Sequence, residues 1–411
     1  MRAGTGGRSS RIGRGRRARG AARFTDALTA AALAVTLAAC GSGGAGAVSI
    51  ASPTPVVQPT PVAPGAIAAM LLGGRREVAT SVNGRGWITL LSLTALSRQP
   101  VAGRIVLAPD AGPDAGPVPV PGCPLAAQSD GCAVGGDLRV VGESDWVSGY
   151  TYFVASNLRT PLLTLFGPQG EVVPLEQLGD ELGLTDVKPS PGELFVGLGP
   201  LVEGDDTRHL RPYLFRAPGF VREQLPLEGF SEGPWPQQVS ATGRIVGSGI
   251  DPSRPVRWEP SDGGYVLSVL PLLDGGKHGG AQGIAGDLVV GWSDDAEGEH
   301  AVLWTVSGAS VAIAVLPVAA GAASCTRALA ISAGRIVGAC ASADGTPLAV
   351  LWAQGDGSAS WSVTRLLPPL PGGTIARVVA LSGDLAVGSS EDAAGVVQPV
   401  AWRLPAEPSG D

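Results

Sequence analysis

The stretch GRIVGACASADGTPLAVLW, Gly334 to Trp352, holds the pattern that decides the architecture. Two glycines bracket a short β-branched run, a polar turn follows, and a second apolar run ends in Trp. The same order occurs at GRIVG (Gly243 to Gly247) with Trp258, at GDLVVG (Gly286 to Gly291) with Trp304, and at GDLAVG (Gly383 to Gly388) with Trp402. The closing glycines stand at 247, 291, 338 and 388, in steps of 44, 47 and 50, and the Trp residues advance by 46, 48 and 50. A Leu-Pro pair follows three of these Trp residues, at Leu270-Pro271, Leu316-Pro317 and Leu367-Pro368.

Two copies precede these. GDLRVVG (Gly136 to Gly142) leads to Phe153, and GELFVG (Gly192 to Gly197) leads to Phe215 and then Leu225-Pro226. A degenerate seventh copy begins at SVNGRGWITLL, Ser81 to Leu91. Each unit reads as four short strands; in the copy quoted first they are RALAIS, GRIVGAC, PLAVLW and SVTRLLP. β-Branched and alternating apolar residues favour strands, and Gly, Asp and Pro mark the turns between them. Four strands per 44 to 50 residues is the period of a β-propeller blade, whereas immunoglobulin arrays repeat near twice that length. The 347 residues from Gly65 to Asp411 then give an all-β propeller of seven blades, with six as the alternative. After Trp402 only RLPAEPSGD remains, too little for a fourth strand. The last blade is therefore expected to borrow one from Ala66 to Leu72 or from Glu77 to Val82, leaving no open edge.

Composition agrees with many short elements. Gly and Pro together supply 96 of 411 residues, which disfavours long helices. The Pro-rich run from Ala108 to Pro124 is expected to be disordered. Nine Trp residues outnumber seven Phe and four Tyr, and four of the nine fall on the repeat position.

Residues 1–40 read as an export signal. Eight arginines lead into the uncharged run Ala27 to Ala39, which is too short to span a bilayer. The run ends in Leu37-Ala38-Ala39-Cys40, which resembles the lipobox of bacterial lipoproteins. That resemblance implies a diacylglycerol on Cys40, which becomes the new N-terminus; a plain secretory signal is the alternative. Arg16-Arg17 leaves open a twin-arginine route. Residues 41–64 (GSGGAGAVSIASPTPVVQPTPVAP) form a Gly/Ser/Pro-rich linker, which could reach roughly 80 Å when extended. Residues 65–411 hold the propeller. Loss of the signal's eight arginines and Asp26 takes the net charge from −7 to −14, so nucleic acid is excluded as a partner. The expectation is a monomer held to the cell envelope, outside the cytoplasm.

The repeat also resembles the HAF-type extracellular repeats of bacterial secreted proteins. His300-Ala301-Val302-Leu303-Trp304 is the nearest match, and the resemblance covers about Gly131 to Leu404. It implies a propeller-like fold and carries no catalytic residues.

With Cys40 lipidated, four cysteines remain. Local disulfides are expected between Cys325 and Cys340, across a hairpin, and between Cys123 and Cys132; no CxxC or HxxxH spacing supports a metal site. The set Trp258, Trp304, Trp352 and Trp402 is read as packing between blades, in preference to a sugar platform. An acidic hairpin follows the closing Gly in each copy: Asp145, Asp205, Asp206, Asp251, Asp294, Asp295, Asp344, Glu391 and Asp392. Equivalent hairpins share one face, so these residues form a candidate acidic rim for Ca²⁺ or a cationic partner, set against their plain use as turn residues. SADGT (Ser342 to Thr346) falls short of the sialidase Asp-box, and His209 in DDTRH is expected in a solvated loop. There is no GxSxG, HExxH or P-loop. The expected function is a lipid-anchored binding or scaffold surface with a protein or carbohydrate ligand and no cofactor. The alternative is a glycosidase or lyase working in the propeller channel.

Overall fold

The computed structural model describes residues 67–72, 77–92, 104–106, 118–119, 132–141, 146–155, 158–167, 171–174, 186–189, 194–201, 209–216, 221–231, 233–250, 252–354, 361 and 363–405. Cys40, the linker, Cys123, Asp145, Asp205, Asp206 and Asp251 lie outside them. Among the described residues every regular element is a strand.

Strand β1 is Ala69–Leu71. Blade one follows as β2 (Glu77–Val82), β3 (Ile88–Ser92), β4 (Arg104–Val106) and β5 (Val118–Pro119). Blade two is β6 (Cys132–Val141), β7 (Val147–Ala155), β8 (Leu158–Phe166) and β9 (Val172–Pro174). Blade three is β10 (Asp186–Pro189), β11 (Leu194–Leu201), β12 (His209–Arg216) and β13 (Val221–Gln224). Blade four is β14 (Trp235–Val239), β15 (Ile245–Ser248), β16 (Pro255–Ser261) and β17 (Gly264–Val269). Blade five is β18 (Gly279–Ala285), β19 (Leu288–Asp294), β20 (Glu299–Ser307) and β21 (Ser310–Val315). Blade six is β22 (Ser324–Ser332), β23 (Arg335–Ala341), β24 (Pro347–Ala353) and β25 (Val363–Leu367). Blade seven supplies β26 (Ala376–Ser382), β27 (Leu385–Glu391) and β28 (Val397–Arg403), and β1 completes it in the order β1-β28-β27-β26.

The fold is thus a seven-bladed propeller closed by a strand from the N-terminal side. Ala69, Met70 and Leu71 pair with Trp402, Ala401 and Val400. Of the two segments expected to close the ring, the first does so, and Glu77–Val82 is instead the inner strand of blade one. Blades one and two share a ladder pair, Leu91 opposite Asp137, and run on as one sheet. Two local expectations are corrected. His209 opens β12, opposite Leu201, and does not sit in a loop. Val118–Pro119 lies inside the Pro-rich run expected to be disordered, yet pairs with Arg104 and Ile105. A proline is tolerated there because an edge strand needs no second ladder partner.

The repeated residues divide the structural work. In blade five, Gly286 turns the first hairpin with φ 58°, a conformation that suits glycine. The closing Gly291 lies opposite Ala281, where the inner strand bulges between Ala281 and Gly283. A Cβ on Gly291 would collide with the carbonyl oxygen of Gly280. The same bulge stands opposite Gly247, Gly338 and Gly388. The closing glycine is therefore a steric requirement of the pinched inner strand.

Trp258, Trp304, Trp352 and Trp402 are fully buried. Each packs against the preceding blade: Trp304 with Val246 and Leu270, Trp352 with Val290 and Leu316, Trp402 with Val337 and Leu367. Their indole N–H groups donate to Pro226 O (2.9 Å), Pro271 O (2.7 Å), Pro317 O (2.7 Å) and Pro368 O (2.8 Å), respectively. The Leu-Pro pair is thus the receptor for the next blade's Trp. Leu270 and Leu316 still donate to their own third strands, at Pro255 O and Ala301 O. The proline then ends the ladder because it has no N–H. Phe215 holds the Trp position in blade three, buried but without a donor.

Cys325 and Cys340 are direct cross-strand partners and form a disulfide, both buried. Burying a ring of this size contributes roughly 4–6 kcal/mol of gross hydrophobic free energy, so packing outweighs the hydrogen bond. Trp304→Phe keeps most of that packing and leaves the part-buried Pro271 O without its donor. We expect a loss of about 1–3 kcal/mol in urea unfolding, while Trp292→Phe, off the repeat position, stays within about 0.5 kcal/mol. Equal losses for the two would contradict the clasp.

Candidate functional site

Alternating strand direction gives the propeller two chemically different ends. Hairpins joining the second and third strands of a blade, together with the blade-to-blade crossovers, lie at one end, termed upper. Hairpins joining first to second and third to fourth strands lie at the lower end. The described members of the acidic set all stand at upper hairpins, as their positions in the repeat require.

Their carboxylates are largely engaged within their own loops. Asp294 Oδ1 accepts from the backbone N–H groups of Lys277 (2.6 Å) and His278 (2.7 Å), tying the incoming crossover to the hairpin. Asp295 Oδ1 accepts from Glu297 N (2.7 Å) and Gly298 N (3.1 Å) and lies 3.0 Å from His300 Nε2. These bonds, the Glu297 N–H first, hold its carboxyl below the usual range. Asp344 accepts from the Ser342 hydroxyl and from Thr346 N (3.0 Å), and its pKa is lowered to about 2, chiefly by the Ser342 bond. Asp392 accepts from Ala394 N (2.8 Å), Val396 N (3.0 Å) and Gln398 Nε2 (2.6 Å). Glu391 closes β27 beside it, half-buried. These are Asx-type turns in which aspartate substitutes for a backbone acceptor. Among the described residues no three His, Cys, Asp or Glu side chains converge in a way that would hold a metal ion. A lowered pKa is also the wrong direction for a general acid, so Asp295 and Asp344 do not fit that role.

The lower end carries its own ring of contacts. Arg244, just after the opening Gly of blade four, reaches blade five at Asp287 and at Gly286 O (3.4 Å), and pairs with Glu259 at 2.9 Å. Arg335, at the same position in blade six, is buried and donates to Gly383 O (3.4 Å) and Pro405 O (2.7 Å). In both cases the GR arginine reaches the GD hairpin of the next blade, at the Asp287 carboxylate in one and at the Gly383 carbonyl in the other, while Asp384 pairs with Arg403 of its own blade at 3.3 Å.

The residues that reasoning from the repeat passed over are the ones that break it. Trp292 follows the closing Gly of blade five, where the other clear copies have Ser248, Ala339 and Ser389. Near the upper end, the Arg327 guanidinium of blade six lies 4.9 Å from its ring centroid and 3.4 Å from Glu299 Oε2. Arg377 of blade seven occupies the same register as Arg327: each immediately precedes the partner of a closing glycine. Among the described residues Arg377 has no ion-pair or hydrogen-bond partner for its side chain, and the Trp292 indole N–H has no acceptor. The only signal available in the sequence was departure from the consensus.

No protein-family model matches the chain, and no curated protein matches it. Among solved structures, the chain is similar to a prolyl endopeptidase at 15% identity and a TM-score of 0.48, covering 80% of this chain and 47% of that one. It is similar to a catalytically inactive virginiamycin B lyase from Staphylococcus aureus with quinupristin, at 10% identity and a TM-score of 0.47, covering 82% and 98% of the two chains. It is also similar to a lectin from Burkholderia pseudomallei, at 11% identity and a TM-score of 0.42, covering 84% and 98%. The chain spans about half the length of the endopeptidase. With scores below 0.5, these likenesses add nothing to the assignment of the fold, which rests on strand order and register.

The Asp344 turn makes a prediction about acid. Its folded pKa of about 2 lies below the ordinary 3.8, so it stabilises the fold above pH 3.8, and this stabilisation is lost as pH falls toward 2. Asp344→Asn should therefore flatten the acid limb of the stability–pH curve between those values. An acid limb identical to that of the parent would refute the capping role.

Proposed function

We propose that the protein is an exported, lipid-anchored propeller that displays its upper end as a binding or scaffold surface. The supporting observation is where the chain enters and leaves the ring. β1 runs antiparallel to β28, with Ala69 beside Trp402 and Leu71 beside Val400, so the polypeptide arrives at the lower end. It also departs there, where Leu404 N donates to Asp384 O and Pro405 O accepts from Arg335. A tether from Cys40 would thus enter the ring through β1 from its lower side. The HAF-like repeat and the Leu-Ala-Ala-Cys40 signal agree with an extracytoplasmic place, and the buried Cys325–Cys340 disulfide suits an oxidising one. The repeated Trp and Asp residues serve packing and turns, which favours display over catalysis.

Two experiments test this reading. Cys40→Ser should move the protein from the membrane fraction to the soluble fraction; continued retention would overturn the anchor. A photocrosslinking residue at Ala296, in an upper hairpin, should give high-mass adducts on intact cells, and one at Ala309, in a lower hairpin, should not. The reverse pattern, or none at either position, would overturn display of the upper end.

A further inference from the structure

We propose that Trp292, Arg327, Glu299 and Arg377 form a binding subsite for a neutral sugar residue near the upper mouth of the channel. The inference rests on the display reading and names its ligand class. The four side chains come from three consecutive blades. Trp292 and Glu299 lie on β19 and β20, Arg327 on the inner strand β22, and Arg377 on the inner strand β26.

A sugar ring offers C–H faces to an aromatic ring and hydroxyls that both donate and accept. The cluster supplies each complement. Trp292, half-buried, brings an indole that has the Arg327 guanidinium over one face, 4.9 Å from the ring centroid, and whose N–H has no acceptor among the described residues. The Arg327–Glu299 pair, at 3.4 Å with both side chains about two-fifths exposed, sets a donor beside an acceptor, as two vicinal hydroxyls require. One blade further round, at the register of Arg327 on the next inner strand, Arg377 offers a donor with no protein partner among the described residues.

The remaining space for the Trp292 edge is built in. Gly280, its cross-strand neighbour, has no side chain, and a Cβ there would lie 2.7 Å from Trp292 Nε1 and 2.5 Å from Ser248 Oγ. The equivalent inner-strand residues of other blades, Trp235, Arg327 and Arg377, are large, so blade five exchanges a large inner residue for a large second-strand one. Ser248 Oγ is buried without a hydrogen-bond partner, which leaves one more polar group at this seam.

Two competing ligand classes fit less well. A protein partner needs an apolar centre of some size. The large hydrophobics exposed among the described residues are Leu71, Val266, Val269, Val315, Val318 and Val379, and all but Val379 lie on or just after fourth strands, away from the cluster. An anionic polymer would meet a chain of net charge −7, or −14 without its signal, and an arginine already neutralised by Glu299.

The test titrates the purified full-length protein with cellohexaose, chitohexaose and maltohexaose, with polygalacturonate and a poly-glutamate peptide as anionic comparators, using calorimetry and Trp fluorescence. At least one neutral hexasaccharide should bind saturably. Trp292→Ala should weaken it by about tenfold or more, and Arg377→Ala by about threefold or more, with unchanged unfolding midpoints. Should Trp292→Ala fold poorly, Trp292→Phe with Glu299→Gln serves instead, and the pair should again weaken binding. Binding unaffected by these changes overturns the proposal, as does binding of the anionic probes alone or of none of the five. Each of these failures is independent of Cys40 fractionation and crosslinking, which report on anchoring and display alone.

Discussion

The structure depends on a hydrogen bond made between blades: an indole N–H of one blade to a prolyl carbonyl ending the blade before it. A blade is a small four-stranded sheet with two faces to cover, and neither is covered within the blade itself. The Trp side chain covers one face with a large apolar area and uses its single donor to fix the neighbour's height. The Leu-Pro pair makes that receptor available. Leu finishes the ladder and fills the seam, and Pro, lacking an N–H, turns the chain outward and leaves one carbonyl to be satisfied. Four seams in succession are closed this way, from blade three to blade seven.

The final seam is closed differently, and that difference explains the ends of the ring. Blade one packs Ala79, Val82, Ile88 and Leu90 against Leu385, Val387 and Ala401 of blade seven. Blade seven in turn takes β1 as its fourth strand, so the N-terminal segment locks the C-terminal blade. Arg335 reinforces this lock from blade six by binding the carbonyl of Pro405. The described chain therefore both enters and leaves the ring at the lower end, where the GR and GD hairpins already join blade to blade.

Much of this was legible because its causes are local and repeated. Gly247, Gly291, Gly338 and Gly388 recur since no side chain fits opposite the inner-strand bulge, and a steric demand of that kind leaves a spaced mark in sequence. The Trp period, the strand count and the borrowed closing strand followed from the same spacing. The Leu-Pro pairs were visible as a pattern, but their partner was not. The bond runs from one copy to the next, and alignment of copies compares like with like. Blade three was blurred because Phe215 is buried at the Trp position without an indole donor, and blade two because Phe153 falls on β7, the second strand, and not on the third strand that carries Trp in blades four to seven. The acidic residues were also visible, but their use was ambiguous. Whether an aspartate caps its own turn or faces outward depends on hydrogen-bond geometry that composition does not encode.

Repetition also conceals. A residue needed by every blade appears in every copy, so the consensus reports what holds the ring together. Chemistry required at one place appears once, as a departure from that consensus. Trp292 stands where its counterparts are Ser or Ala, and room for it exists because Gly280 stands where its counterparts are Trp or Arg. The two departures are complementary across one strand pair, since the ring on the second strand takes the space that the missing inner side chain leaves. In a fold whose repeated Trp and Asp residues are spent on seams and turns, the distinctive surface lies where one blade differs from its neighbours.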